Sequence, residues 1–347
     1  MFKRTIPVLF IITVLLLGCA STPSTYKTGS TGNQPSWVTD IDSVYPSNQY
    51  LAVLGEGDSL SKAQAKAAAN IALIFESRIK VDTTVENRYA EMKKQGVVTS
   101  VTDETRVSDK ISQLSDQTLS NLKYGESWTD SMGTVITAAY LNRVETAELY
   151  RKRIDDQTHV LLRLKDKGDD GLTKIEKYAY YDSAFVIAMS NEVMLEQLDI
   201  IHPQMAKTLE LGYSLDDLKT IRTRAADALT FRLNFTGADS AAIASTISET
   251  LTEIGFSLSD NAELSAKGSV QSEKIERSND YENFKWYLYL EIVNEAGRTI
   301  ISIEESGTSA STSESAARSR INVDIKKIIN KQLPRQFNAY LNSYLEK

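Results

Sequence analysis

Acid–base chemistry near neutral pH draws first on histidine, and the chain holds two, His159 and His202. Neither belongs to an HExxH or paired-histidine motif, and Pro203 follows His202, so both read as surface or helix-end residues. Asp155-Asp156 and Asp216-Asp217 bring together the carboxylates that glycoside hydrolysis requires. Adjacent residues on a helix do not face one another, however, and Asp216-Asp217 falls in a first turn, where the helix dipole favours acids. No GxSxG occurs, so the nucleophile elbow is missing. Gly55-Glu56-Gly57 stands between a strand and a helix, where backbone N–H groups can approach an anion. It lacks a third glycine and a phosphate-binding lysine, and Glu56 occupies the anion's place, so the glycines are expected to serve a sharp turn. Asp166 to Gly171 fails as a calcium loop, because Gly168 takes the third position and Lys177 the twelfth, where a bidentate Glu is needed. The expectation is a chain with no catalytic set, no cofactor and no metal site.

The single cysteine, Cys19, carries a different chemistry. Met1 to Ala20 reads MFKRTIPVLFIITVLLLGCA, with Lys3 and Arg4 before an apolar run too short to span a bilayer. This is an export signal over residues 1–18. Its Leu16-Leu17-Gly18-Cys19 ending resembles the bacterial lipobox, which implies cleavage between Gly18 and Cys19 and lipidation, including palmitate, of Cys19. Such a protein is tethered to a membrane by its N-terminal lipid. Ala20 in place of the Asp that retains lipoproteins at the inner membrane points to the periplasmic side of the outer membrane. Residues 19–36 are rich in Ser, Thr, Gly and Pro, the composition of a flexible leash.

With 347 residues, the processed chain is long enough for about two domains. The net charge of −7 disfavours nucleic acid and anionic headgroups as partners. Once Cys19 is acylated no thiol remains for disulfides, catalysis or zinc.

Two small α+β parts, 37–150 and 213–347, are expected on either side of a helical connecting segment, 151–212. In the first, Tyr50–Gly57 alternates as a buried strand, and Ser59 or Ser61 caps a helix with Ala63, Ala67, Ile71, Ile74 and Phe75 on one face. Val81 to Val101 fits helix, strand or loop, and a second helix is expected over Val107–Leu122. Strands over Gly125–Met132 and Val135–Val144 should meet in a hairpin at Gly133. The Pro35-Ser36-Trp37 entry, the Gly55-x-Gly57 strand end, the alanine-rich helix and Tyr140-Leu141-Asn142-Arg143 together resemble the LPP-twenty lipoprotein family, which includes P-type flagellar lipoproteins. The resemblance implies a dodecin-like fold and an envelope role without known catalysis. Dodecin-like domains often assemble into rings, so it leaves a homo-oligomer open.

In the connecting segment, helical patterning breaks around Lys167–Gly171, and Phe185, Met189, Val193 and Met194 form an apolar stripe. His202-Pro203 ends that helix. Beyond it, Ser214 caps a helix to Ala228, Phe231, Leu233 and Phe235 alternate on a strand, and Asp239 caps a helix that Gly255 stops. Strands follow over Glu263–Glu276, around Trp286–Ile292 and over Thr299–Ile303. A capping box at Ser311–Glu314 opens a helix with Ile321, Ile325, Ile328 and Leu333 inward; Pro334 should end it before a last short helix. This order resembles the anticodon-binding-like domains of TolB N-terminal and CsgG-type envelope proteins.

Tyr287 and Tyr289 lie opposite Trp286, Leu288 and Leu290 on their strand, where they either pack under neighbouring helices or form a partner-binding face. Tyr178, Tyr180 and Tyr181 cluster on one helix. The expected function is a non-enzymatic envelope module with envelope protein partners, in a cell-envelope or flagella-associated assembly. An accessory subunit of a secretion pore or cell-wall synthase is the alternative, with a peptidoglycan hydrolase the less favoured one.

Overall fold

The computed structural model describes residues 33–77, 83–94, 121–170, 173–237, 240–277 and 280–345. The cleavage site at Gly18-Cys19, most of the leash, the helix expected from Val107 and the Asp239 cap lie outside them. The fold is α+β, with two sheets and no strand exchanged between them. Contacts divide the described residues into two compact units, one drawn from residues 33–47, 52–71 and 122–140, the other from 48–51, 72–77, 83–94 and the described part of 141–345.

The first unit is built on a three-stranded sheet of β1 (Tyr50–Gly57), β2 (Lys123–Thr129) and β3 (Val135–Asn142) in the order β1-β3-β2. β2 and β3 are antiparallel and joined through Gly133, whose φ of 87° only glycine adopts freely. Asp130 Oδ1 accepts the N–H groups of Met132 and Thr134 at 2.9 and 2.8 Å, closing the turn as an aspartate does best. The entry holds a short α1 (Ser36–Thr39) with Trp37 buried. Helix α2 (Leu60–Glu76) buries Ala63, Ala67, Ile71 and Phe75 at helical spacing, with Ile74 half-buried.

The undecided Val81–Val101 stretch contains helix α3 (Thr83–Lys94) of the second unit. Two long helices follow, α4 (Arg143–Asp169) and α5 (Lys174–Ile201), antiparallel across a short link where Thr173 and Glu176 cap α5 reciprocally. Gly168 lies so close to Tyr181 that a Cβ there would sit 2.4 Å from its ring. At the other end, Arg143 donates to the carbonyls of Ile200 and Ile201 at 3.0 and 2.7 Å, satisfying orphan acceptors at the end of α5. The expected stripe on α5 needs correction: Met194 is buried, but Phe185, Met189 and Val193 are only half-buried. Ala184, Ile187, Asn191 and Leu198 face the interior with Met194, because α5 is packed from several sides and buries more than one face.

Short α6 (Pro203–Thr208) and α7 (Leu215–Ala228) lead to a five-stranded sheet. Its strands are β4 (Thr230–Thr236), β5 (Ser257–Leu258), β6 (Leu264–Ile275), β7 (Glu282–Val293) and β8 (Thr299–Ser311), in the order β5-β4-β6-β7-β8. β4 runs parallel to β5 and β6, and β6-β7-β8 is an antiparallel meander. Helices α8 (Ser240–Ile254) and α9 (Glu314–Asn342) cover one face, burying Ile243, Ile247, Ile321, Ile325 and Ile329 against Phe231, Leu288 and Leu290. Ile329, not Ile328, completes the inward row.

Two further expectations for α9 are corrected. Its cap is Ser313, whose Oγ accepts from Ala316 N–H at 3.3 Å, because β8 pairs with β7 as far as Ser311. Pro334 does not end the helix. An internal proline costs about 3 kcal/mol, but stopping there would withdraw Phe337 and Leu341, both 1% exposed, from the core. Burial of side chains of that size contributes about 2 kcal/mol each, enough to carry the helix through.

Residues 151–212 share a core with 213–347. Tyr178 of α5 meets Phe256 edge-on at 4.9 Å, and Phe256 meets Phe231 and Phe337 at 5.2 and 5.1 Å. Lys174 pairs with Glu263, which also accepts from the Thr230 N–H and hydroxyl at 3.2 and 2.9 Å.

A buried carboxylate joins more elements than any of these contacts. Asp182 of α5, 5% exposed, accepts from Arg222 Nε of α7 at 2.7 Å and Arg88 Nε of α3 at 3.4 Å, and from the Tyr178 hydroxyl at 3.4 Å. Arg88 also donates to Asn342 at the end of α9. Removing one partner of a buried pair strands the other charge, so Asp182→Ala should cost about 3 kcal/mol or more in urea unfolding at pH 7. A loss below about 1 kcal/mol would show that the cluster is not needed for stability.

Glu263 supplies a pH signature. Burial works against its ionisation, but the hydrogen bonds from Lys174 and Thr230 outweigh burial and hold its pKa at about 2, against an ordinary 4.5. The folded-state value is depressed, so this stabilisation is complete above pH 4.5 and lost as pH falls toward 2. Thermal melts of Glu263→Gln should therefore lie below those of the parent at neutral pH and converge with them in that acid window.

Candidate functional site

The groups with the chemistry to catalyse are spread along the chain, at helix ends or on exposed helix surface. His202 Nδ1 accepts the Met205 N–H at 3.2 Å, capping α6. The His159 side chain is exposed on α4, 3.9 Å from Asp155 one turn earlier. Asp216 and Asp217 lie in the first turn of α7, where Ser214 Oγ accepts the Asp217 N–H at 3.2 Å. Among the described residues no group of three or more His, Cys, Asp or Glu is placed to hold a metal.

Gly55 and Gly57 serve close packing and not the sharp turn expected of them: both lie within β1, and neither has a positive φ. A Cβ on Gly55 would stand 2.2 Å from the Ala63 carbonyl oxygen and the Ala67 nitrogen, and one on Gly57 2.7 Å from the Ala63 nitrogen. The missing side chains let α2 lie directly on β1, and Asn70 Nδ2 ties the pair by donating to the Leu54 carbonyl at 2.9 Å.

The helix tyrosines are structural. Tyr178 is buried beside Asp182, Tyr180 donates to the Tyr344 carbonyl at 3.2 Å, and Tyr181 donates to Asp169 at 2.8 Å. Burial, reinforced by Asp169, pushes the Tyr181 phenol up to about 12.

The strand tyrosines behave differently. Alternation along β7 places Trp286, Leu288, Leu290 and Ile292 under the helices, each no more than 4% exposed. Tyr287 and Tyr289 stand on the other face at 38% and 39% exposure, and no helix among the described residues roofs them. Strand register surrounds them with polar neighbours from two further strands. Gln271 of β6 and Ser306 of β8 flank Tyr287; Ser269 and Glu304 flank Tyr289. These six residues line a shallow depression. The Tyr287 hydroxyl donates to Glu273 Oε1 at 3.3 Å, and Lys285 Nζ lies 4.8 Å from the Tyr287 ring centroid. Tyr287 raises the pKa of Lys285, while Glu291 raises that of the Tyr289 phenol. Sequence reasoning found the two tyrosines by alternation; it missed Ser269, Gln271, Glu304 and Ser306, because no local signal aligns residues on separate strands.

Residues 35–142 match the model of the LPP20 lipoprotein family, so the resemblance carried by Pro35-Ser36-Trp37, Gly55-x-Gly57 and Tyr140-Leu141-Asn142 holds over that segment, with Arg143 just beyond it. No curated protein sequence matches the chain. Among solved structures, the secreted protein HP1454 from Helicobacter pylori aligns at 15% identity over 81% of this chain and 94% of its own, with a TM-score of 0.42. A minor lipoprotein from Acinetobacter baumannii aligns at 13% identity over 32% of this chain and 92% of its own, with a TM-score of 0.26. At these scores neither bears on function.

The glycine packing makes a direct prediction. Gly55→Ala forces a methyl into helix backbone that cannot swing aside, and overpacking of this kind costs about 1–3 kcal/mol. Hydrogen exchange should show accelerated opening of β1 and α2, with the amides of β6 and β7 unchanged.

Proposed function

We propose that this chain is a lipid-anchored envelope protein, held through acylated Cys19 on the periplasmic side of the outer membrane, and that it works as a non-enzymatic interaction module. The observation that carries the reading is the Leu16-Leu17-Gly18-Cys19 ending, with the chain's sole cysteine, ahead of a segment that matches a lipoprotein family. The Ser-, Thr- and Gly-rich leash that follows would let the folded part work at a distance from the bilayer. No helix among the described residues is long and apolar enough to cross a membrane, and the anchor proposed is the lipid on Cys19. One acyl chain binds only marginally, and stable attachment needs the several chains that such a cysteine carries.

A binding role fits the side chains. The two histidines and the aspartate pair of α7 are accounted for by exposed helix surface and helix caps, and the open face around Tyr287 and Tyr289 supports a binding role. Envelope components reached from an outer-membrane tether are the partners this geometry suits.

The anchor is tested by labelling cells with palmitate and fractionating them. The parent chain should incorporate label and sediment with the membranes; Cys19→Ala should lose the label and move to the soluble fraction. Unchanged labelling or unchanged retention in that variant would overturn the proposal.

A further inference from the structure

The face around Tyr287 and Tyr289 carries more chemical information than its openness. Resting on the reading of this face as the working surface, we infer that it is a platform for an uncharged oligosaccharide, with sugar rings stacked on the two tyrosines. Residues two apart on a strand are about 6.8 Å apart and share a face, so the two phenol rings form a short aromatic track along β7. A sugar has two kinds of surface, C–H faces that settle on aromatic rings and a rim of hydroxyls that needs donors and acceptors. Both are present here. Gln271 and Ser306 stand beside one ring, and Ser269 and Glu304 beside the other. The short serines leave the flanks of the rings clear, which is what makes the depression.

Other occupants fit less well. The centre of a protein interface is an apolar, desolvated patch, whereas every side chain flanking these two rings is polar. An anionic headgroup or nucleic acid would meet Glu273, Glu291 and Glu304 with only Lys267 and Lys285 in the adjoining rows, on a chain of net charge −7. The platform is also preorganised. Trp286, Leu288 and Leu290 fix β7 to the core from beneath, so little ordering accompanies binding. Lys285, half-buried and resting over the Tyr287 ring, can be displaced on to the sugar hydroxyls.

The test uses the full chain in a polyoxyethylene detergent without a sugar headgroup, titrated calorimetrically with oligosaccharides of N-acetylglucosamine and of glucose. Saturable binding to one of them is expected. Tyr287→Ala and Tyr289→Ala should each weaken it about fivefold, and together abolish it, while Phe at both positions keeps it within about twofold. Should the double alanine variant lose its circular dichroism spectrum, Ser306→Arg, on the exposed surface, fills the depression and should abolish binding on an intact fold. No binding of either sugar by the parent chain, or binding that survives the folded double variant and Ser306→Arg alike, overturns the inference. A photo-crosslinker at position 287 separates this failure from that of the reading beneath it. Crosslinks to one defined envelope protein without sugar binding overturn the glycan and keep the working surface; neither sugar binding nor crosslinks overturn both.

Discussion

Asp182 is the point on which the second unit turns. A carboxylate taken out of water on the middle of a helix is costly unless its charge and lone pairs are answered, and here two guanidiniums and a phenol answer it. Burial opposes the charge on Arg222, but the neighbouring carboxylate outweighs burial and raises its pKa. Because Arg88 and Arg222 come from α3 and α7, and Arg88 reaches on to Asn342 of α9, one side chain registers four helices against each other. Apolar contacts alone would hold those helices together, but they tolerate sliding; a buried, directional charge cluster does not.

That registration decides which surface stays exposed. Of the helices that meet at Asp182, α5, α7 and α9 enter the core under the inner face of the five-stranded sheet, through Tyr178 and the rings of Phe231, Phe256 and Phe337, while α3 packs in a second cluster with α4 and α5. With the inner face fully committed, alternation along β6, β7 and β8 sends the remaining side chains to the opposite side. There the two tyrosines stand among serines, an amide and carboxylates. In the first unit the bare backbone of Gly55 and Gly57 within β1 lets a helix touch a strand.

Much of this architecture was legible in local pattern. The strand alternation of β7, the helix stop at Gly255 with φ 101° and the turns at Gly133 and Gly297 were readable because each depends on a few neighbouring residues. Ser214 was readable as a cap for the same reason. The errors share one cause as well. Pro334 reads locally as a helix end, but burial of Leu333, Phe337 and Leu341 on both sides of it outweighs the missing hydrogen bond. Ile328 and Ile329 are equally apolar neighbours, and only the packed sheet chooses between them. The inward face of α5 was misjudged because the helix is enclosed by several elements, each claiming a different side.

The sequence by itself determined the α+β class, most element boundaries and the outward placement of Tyr287 and Tyr289, because these rest on composition and periods of two or 3.6 residues. Tertiary structure alone decided the rest. It brought Arg88, Asp182, Arg222 and Asn342 together from far-separated positions, set α2 on the bare backbone of Gly55, and aligned Ser269, Gln271, Glu304 and Ser306 beside the tyrosine track. Contacts of that range depend on how the chain closes on itself, and no residue announces its partner dozens of positions away.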